Sequence, residues 1–439
     1  MTAARIPAAL AVLAASTVLG ACSGTTGTLM VELTTAPGSQ VLDAVTRLRL
    51  TLTNPREVVE AARTANGFEL ALEVDAAQDV GAVVVEGLDA GGAVIACGQT
   101  PGFSVGGINA RVVVYMAPPR SIALSPRTLP AALSEVSAAS LGFGVVIAGG
   151  LDGAGAPADE LVVYNAFDHS LLDGLPLPEA RAGIALAANI VGTVYLFGGT
   201  GPAGKAEGTL WRFDATAGPR GGYVTITDSD ALARSREAMV SIGTDRYLIT
   251  GAPPLTLDRG SLAQRDDIDM LPASGAPLTL LDASAGAVFA GDPLVVFHAG
   301  MFQALAASAQ PDATAAALPD GRAVVIGGLN PVPQHDGLII VGDTGNVLVV
   351  SNVLQTARSR PAVAATSRYL LVAGGSDANG DPIASAELLD VKTLAPITTL
   401  PILARSGTFA IALSNDQVLI GGGSPPSAQL ELFTPEPPI

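Results

Sequence analysis

An apolar run closed by a glycine doublet, or by a lapsed one, recurs six times in the second two thirds of the chain. This recurrence restricts the fold more than any other feature. The runs end at Gly149-Gly150, Gly198-Gly199, Thr250-Gly251, Gly327-Gly328, Gly374-Gly375 and Gly421-Gly422, with first positions 49, 52, 77, 47 and 47 residues apart. Four or five apolar residues bounded by glycine, as in Val145-Val146-Ile147-Ala148 or Tyr369-Leu370-Leu371-Val372-Ala373, read as a strand covered on both faces. Glycine pairs at fixed positions mark crowding, where a Cβ would collide or φ must be positive. A unit of about 50 residues that cannot bury its faces alone must stack on copies of itself.

Two further signatures keep a constant order around the doublet. Upstream by 16 or 17 residues stand Arg181, Arg234, Arg358 and Arg405, with Arg236 and Arg360 two positions later in two of the units. Downstream come Leu161-Val162-Val163-Tyr164-Asn165, Leu210-Trp211-Arg212-Phe213-Asp214 and Glu387-Leu388-Leu389-Asp390, which read as the next strand out. This order resembles the Kelch repeat family. The resemblance covers residues 120–439 and implies a β-propeller, with four-stranded blades around a channel. The chain departs from the family pattern in having a single tryptophan, Trp211, and no arginine in the units around Leu133 and Pro311. The long 77-residue interval holds either an insertion over about 252–277 or a degenerate extra blade near Leu294–Gly300. The 28 residues from Ala299 to Gly327 are too few for four strands, so six blades are expected, with seven as the alternative. Ser121–Pro126 reads as an outer strand able to complete the last blade, which otherwise ends one strand short.

The start of the chain carries an address. One arginine, an apolar run from Ile6 to Leu19, and then Gly20-Ala21 form a secretory signal over residues 1–21, too short for a permanent span. Leu19-Gly20-Ala21-Cys22 resembles the lipobox of bacterial lipoproteins, which implies acylation of Cys22 and anchoring to the envelope membrane through that lipid. Ser23 after the cysteine favours the outer membrane, on either its periplasmic or its surface side. Residues 22–27 read as a tether. Residues 28–118 alternate apolar and polar positions in about seven short strands, as in Thr46–Leu52, which suggests an immunoglobulin-like β-sandwich. Residues 56–64 read either as a strand or as a helical turn. The expected architecture is therefore all-β, a sandwich followed by a propeller.

The chemistry is less legible. A net charge of −17 argues against a nucleic-acid partner. Apolar residues at 49% exclude a disordered chain. Cys97, the one cysteine beyond Cys22, reads as a buried thiol, and the three histidines fall at unrelated repeat positions, so no metal or cofactor is expected. Asp377-Ala378-Asn379-Gly380-Asp381 begins like a calcium loop, but Pro382 and Leu388 stand where glycine and glutamate are needed, so a polar turn is favoured. The acidic stretch Arg265–Asp269 reads as a solvated loop. Histidine, tyrosine and cysteine are not placed for a copper radical oxidase, sialidase boxes are absent, and no Gly-x-Ser-x-Gly elbow occurs.

That leaves the arginines. Arg181, Arg234, Arg236, Arg358, Arg360 and Arg405 either approach the channel rim, where guanidinium suits a carboxylate, or tie blade to blade. For the four that recur with the repeat, the structural role is favoured. The expected function is a lipid-anchored binding protein that recognises a protein or a glycan. A Kelch-type sugar isomerase or lyase and a purely structural envelope protein are the alternatives.

Overall fold

The computed structural model describes residues 26–438, apart from 65–66, 69–71, 76–79, 105–110, 190–191, 244–245, 252, 265–277, 283–285, 299 and 342–345. The secretory signal, Cys22 and the acidic positions Asp266, Asp267 and Asp269 lie outside the described residues. The first strand starts at Thr26, so it takes in the last two residues of the expected tether.

The protein is all-β, with one short 3-10 turn, Asp230–Leu232, among the described residues. Beyond residue 120 there are seven four-stranded antiparallel sheets. Numbered along the chain, sheet I holds Ser137–Leu141, Gly144–Ala148, Leu161–Asn165 and Leu171–Asp173. Sheet II runs from Ala185 to Asp228, III from Met239 to Gln264, IV from Leu278 to Ala304, V from Ala313 to Val350, and VI from Ala362 to Pro401. Sheet VII combines Phe409–Ala412, Val418–Gly421 and Ser427–Thr434 with Ser121–Leu133 as its outer strand, antiparallel to Ser427–Thr434. The first strand of each sheet lies against the first strand of the next, and VII returns to I. The cycle is one of packing, since every sheet is itself open at its edges.

Seven sheets stand where spacing favoured six units and left seven as the alternative. The missing one is sheet IV, which fits in the long interval because its four strands have only four or five residues each. Its second strand, Gly286–Phe289, ends on Ala290-Gly291, so the marker had lapsed. The doublet ends the second strand of a unit rather than the unit itself, and so the Ala299–Gly327 interval never had to hold four strands. Residues 255–264, expected to be inserted, are the outer two strands of sheet III.

Each junction between neighbouring sheets has its own apolar cluster. Val146, Ala148, Leu161 and Val163 of sheet I meet Leu186, Leu196, Trp211 and Phe213 of II, while Val145, Ile147, Val162 and Tyr164 of I face Leu419, Leu430 and Leu432 of VII. Alternate residues of one strand thus face opposite neighbours, which is why the middle strands are apolar at every position. Fully burying each such leucine or valine stabilises by about 1.5–3 kcal/mol. The innermost strands are alanine-rich, as in Ala313-Thr314-Ala315-Ala316-Ala317, because seven strands converge there and small side chains fit.

The N-terminal segment forms a five-stranded and a three-stranded sheet, with Met30–Thr34 parallel to Arg111–Tyr115. Leu48, Leu50, Leu52, Val83, Val85 and Val114 share one cluster between them. Residues 56–64 are a strand and not a helical turn. This part packs on the ring: Tyr115 joins the cluster between VII and I, and Gln99 and Asn415 exchange hydrogen bonds of 2.7 and 2.9 Å. Cys97 is buried there with its Sγ 3.2 Å from the Pro435 carbonyl, and burial, with Glu86 and Glu436 nearby, pushes its thiol up to about 12. It is therefore inert as a nucleophile.

Candidate functional site

The six arginines divide into two sets according to their place in the repeat. Arg181, Arg358 and Arg405 are 1% exposed or less, and Arg234 is half-buried. Their backbone and side chains join different sheets. The carbonyl of each accepts an N–H from the second glycine of the preceding sheet: Gly150 to Arg181, Gly199 to Arg234, Gly328 to Arg358 and Gly375 to Arg405, at 2.9–3.1 Å. Each arginine's side chain reaches into its own sheet. Arg358 donates to the Gly374 carbonyl at 2.8 Å and pairs with Glu387 at 2.8 Å, and Arg405 donates to the Gly422 carbonyl at 3.1 Å and pairs with Glu431 at 3.1 Å. Arg234 donates to the carbonyls of Thr250 and Pro253, while Arg181 pairs with Glu179 at 2.9 Å and lies 5.1 Å over the Trp211 ring. These four therefore tie neighbouring sheets together, the role favoured for the arginines that recur with the repeat. Burial pushes the Arg358 and Arg405 guanidiniums down, and Glu387 and Glu431 counter it.

Glycine is required beside them. The first doublet glycine has φ between +61° and +73° in sheets I, II, V, VI and VII, and a Cβ on Gly374 would stand 2.4 Å from the Arg405 carbonyl oxygen. In sheet VII this residue is Gly422, one position after the glycine at which the doublet was read.

The acid partners were not anticipated. Glu387, Glu431 and Trp211 share one register place on the third strand, opposite Val372, Ile420 and Leu196, each two residues before that glycine. The sequence signal was an acid or tryptophan three positions before Asp390, Thr434 and Asp214.

Two residues after each of the four ties, and at the same place in sheets I and V where no arginine stands, the chain turns into the innermost strand through a left-handed residue. These are Glu135 (φ 51°), Gly183 (62°), Arg236 (59°), Asp312 (58°), Arg360 (52°) and Gly407 (60°), in sheets I, II, III, V, VI and VII. The bend lets neighbouring sheets bond through the backbone, with Arg236 N–H to Gly183 at 2.8 Å and Arg360 N–H to Asp312 at 2.8 Å. Together they surround one mouth of the ring. A cavity of about 1170 Å³ opens there, lined by Glu135, Arg236, Glu237, Asp292, Asp312 and Arg360 among others. Arg236 donates to both Glu135 oxygens at 2.9 and 3.1 Å. Glu237 is buried and accepts from the Thr250 hydroxyl at 2.5 Å, and Ser308 donates to Asp292. The side chains of Asp312 and Arg360 are exposed and make no hydrogen bond or ion pair among the described residues.

Other candidates resolve simply. Asp377 accepts the N–H groups of Asn379 and Asp381, and Asp152 accepts those of Ala154 and Ala156 in the same way, so the calcium-like motif is a repeat turn. Among the described residues no group of three or more His, Cys, Asp or Glu side chains is placed to hold a metal ion. His169 is buried with Nδ1 2.6 Å from the Tyr164 hydroxyl, and burial pulls it down to about 4. No family model matches the chain, and no curated protein matches it either.

Proposed function

We propose that the seven sheets form a seven-bladed β-propeller of the Kelch-like kind, covering residues 120–439. Residues 28–118 form an immunoglobulin-like β-sandwich beside it, and a lipid on Cys22 holds the whole at the bacterial envelope. Its function is binding, with the ligand recognised at the mouth that carries Glu135, Arg236, Asp312 and Arg360.

One observation carries this reading. At a left-handed bend glycine is the least strained residue, and a side chain there costs about 1–2 kcal/mol. Gly183 and Gly407 show that the repeat accepts glycine, yet four of the six bends carry charged residues that face a cavity. Charge at a strained position, with no side-chain partner for Asp312 and Arg360 among the described residues, is what a recognition surface requires. A sugar isomerase or lyase built on channel arginines loses four of its six candidates to the ties between sheets.

The test is a thermal-shift screen of the purified protein against panels of peptides and oligosaccharides. The control is a variant carrying Glu135→Gly, Arg236→Gly, Asp312→Gly and Arg360→Gly. A ligand at 100 times its Kd adds about 2.7 kcal/mol to the native protein and nothing to the variant. Equal shifts in both place the ligand elsewhere. Radiolabelled palmitate incorporation, abolished by Cys22→Ser, tests the anchor.

A further inference from the structure

We infer that Glu135 is an internal stand-in for the ligand: its carboxylate holds the place on Arg236 that a carboxylate of a partner peptide takes. Arg360 is the second guanidinium of that site. This deepens the proposed function and rests on its placing of the ligand at the mouth.

The arrangement is symmetric about Glu135. Around the cycle its neighbours are Gly183 and Gly407, and beyond them stand Arg236 and Arg360. Each arginine lies across the adjoining glycine. A Cβ on Gly183 would come within 2.9 Å of Arg236 Cγ, and one on Gly407 within 2.8 Å of Arg360 Nη2. The two glycines therefore clear the floor on which the arginines rest. Arg236 completes the reach and is held by both Glu135 oxygens; Arg360 makes no such contact. Of the two guanidiniums in the cavity, Arg236 therefore has a carboxylate partner and Arg360 has none among the described residues.

The pair now present is exchangeable. The Arg236 side chain is 69% exposed, so its bond to Glu135 is screened and weak. A ligand carboxylate that takes the place of Glu135 on Arg236, with a second polar group on Arg360, gains charge-assisted bonds there. The other acids of the cavity decide the ligand class. Asp292 and Asp312 line it too, Asp312 beside Arg360, whose N–H its backbone carbonyl accepts, and the Asp312 carboxylate has no side-chain partner among the described residues. A uniformly anionic glycan would be repelled by these acids, whereas a peptide segment carrying one carboxylate and one cation complements both signs of charge.

The experiment measures binding of the full protein to a fluorescent random copolymer of glutamate and lysine, with polygalacturonate in parallel. Glu135→Gln keeps the bend and frees Arg236, and it should tighten copolymer binding about tenfold. Arg360→Gln should weaken binding about tenfold, and added salt should weaken all three proteins. Unchanged urea midpoints show that the variants are folded. Copolymer binding that Glu135→Gln leaves equal or weaker removes the stand-in role while keeping the mouth as the site. Binding of polygalacturonate alone overturns the peptide class. No binding of either polymer, by native protein or by Glu135→Gln, overturns the inference and counts against the mouth itself.

Discussion

Arg358 and Arg360 stand one serine apart, as do Arg234 and Arg236, yet the members of each pair work in different surroundings. Arg358 is enclosed between sheets, with three backbone carbonyls and Glu387 as partners, whereas Arg360 extends from a left-handed bend into an open cavity. The first position recurs because the ring needs it: its carbonyl serves the preceding sheet and its side chain its own. The second position recurs only as a backbone shape, which leaves its side chain free to vary among Glu, Gly, Arg and Asp. A repeat constrains what its joints require and releases what its rim displays.

The sharpest way to break this distinction is to truncate a tie. Arg358→Ala leaves Glu387 buried without its cation and should lower unfolding stability by about 3–5 kcal/mol in urea denaturation, where Arg360→Ala should move it by less than about 1. Replacing both members, as Arg358→Met with Glu387→Leu, should restore part of the loss, because no unpaired charge remains while the Gln355 and Thr356 N–H groups lose their acceptor. Equal losses for Arg358→Ala and Arg360→Ala would erase the division.

Much of the ring was legible because its joints repeat. The doublets, one of them lapsed, marked six of the seven sheets, four of them with the upstream arginine as well, and the outer strand at Ser121 was visible as the piece missing from the last unit. Sheet IV was legible only as the alternative, the degenerate extra unit near Leu294–Gly300, because Ala290-Gly291 had lost the doublet and its strands are short. The mouth was half legible. Arg236 and Arg360 stood out as arginines, but Glu135 and Asp312 follow Leu133 and Gln310, where the repeat arginine is absent, so nothing aligned them. Reading the position two residues after each tie, rather than the tie, brings all six into one column. Glu387 and Glu431 were hidden for another reason: a lone acid in an apolar strand looks like a solvated residue until its arginine is placed.

Buried polar joints also set the response to acid. His169 sits between Tyr115 and Tyr164 where the N-terminal sheets meet the ring, and burial holds it neutral, down to about 4 against about 6.5 when unfolded. The folded value is the lower one, so the unfolded chain binds the proton first. The contribution is intact above pH 6.5 and is lost as pH falls towards 4, on the order of 3 kcal/mol. Urea titrations at pH 7 and pH 4.5 should show His169→Gln losing less stability on acidification than the native protein. An identical loss would show that His169 is not buried neutral. Gly374→Ala, which sets a Cβ against the Arg405 carbonyl at φ 62°, should cost about 2 kcal/mol, and a neutral result would remove the crowding argument at the joints.

The smallest effect is the most direct test. Arg360→Gly relieves a left-handed side chain at φ 52° that has no partner among the described residues. Its urea midpoint and its copolymer binding should be measured side by side with those of the native protein. The account predicts stability higher by about 1 kcal/mol and binding weaker by about tenfold, as expected of a residue that serves recognition against the interest of the fold. A variant less stable than the native protein would contradict it and make Arg360 another tie of the ring.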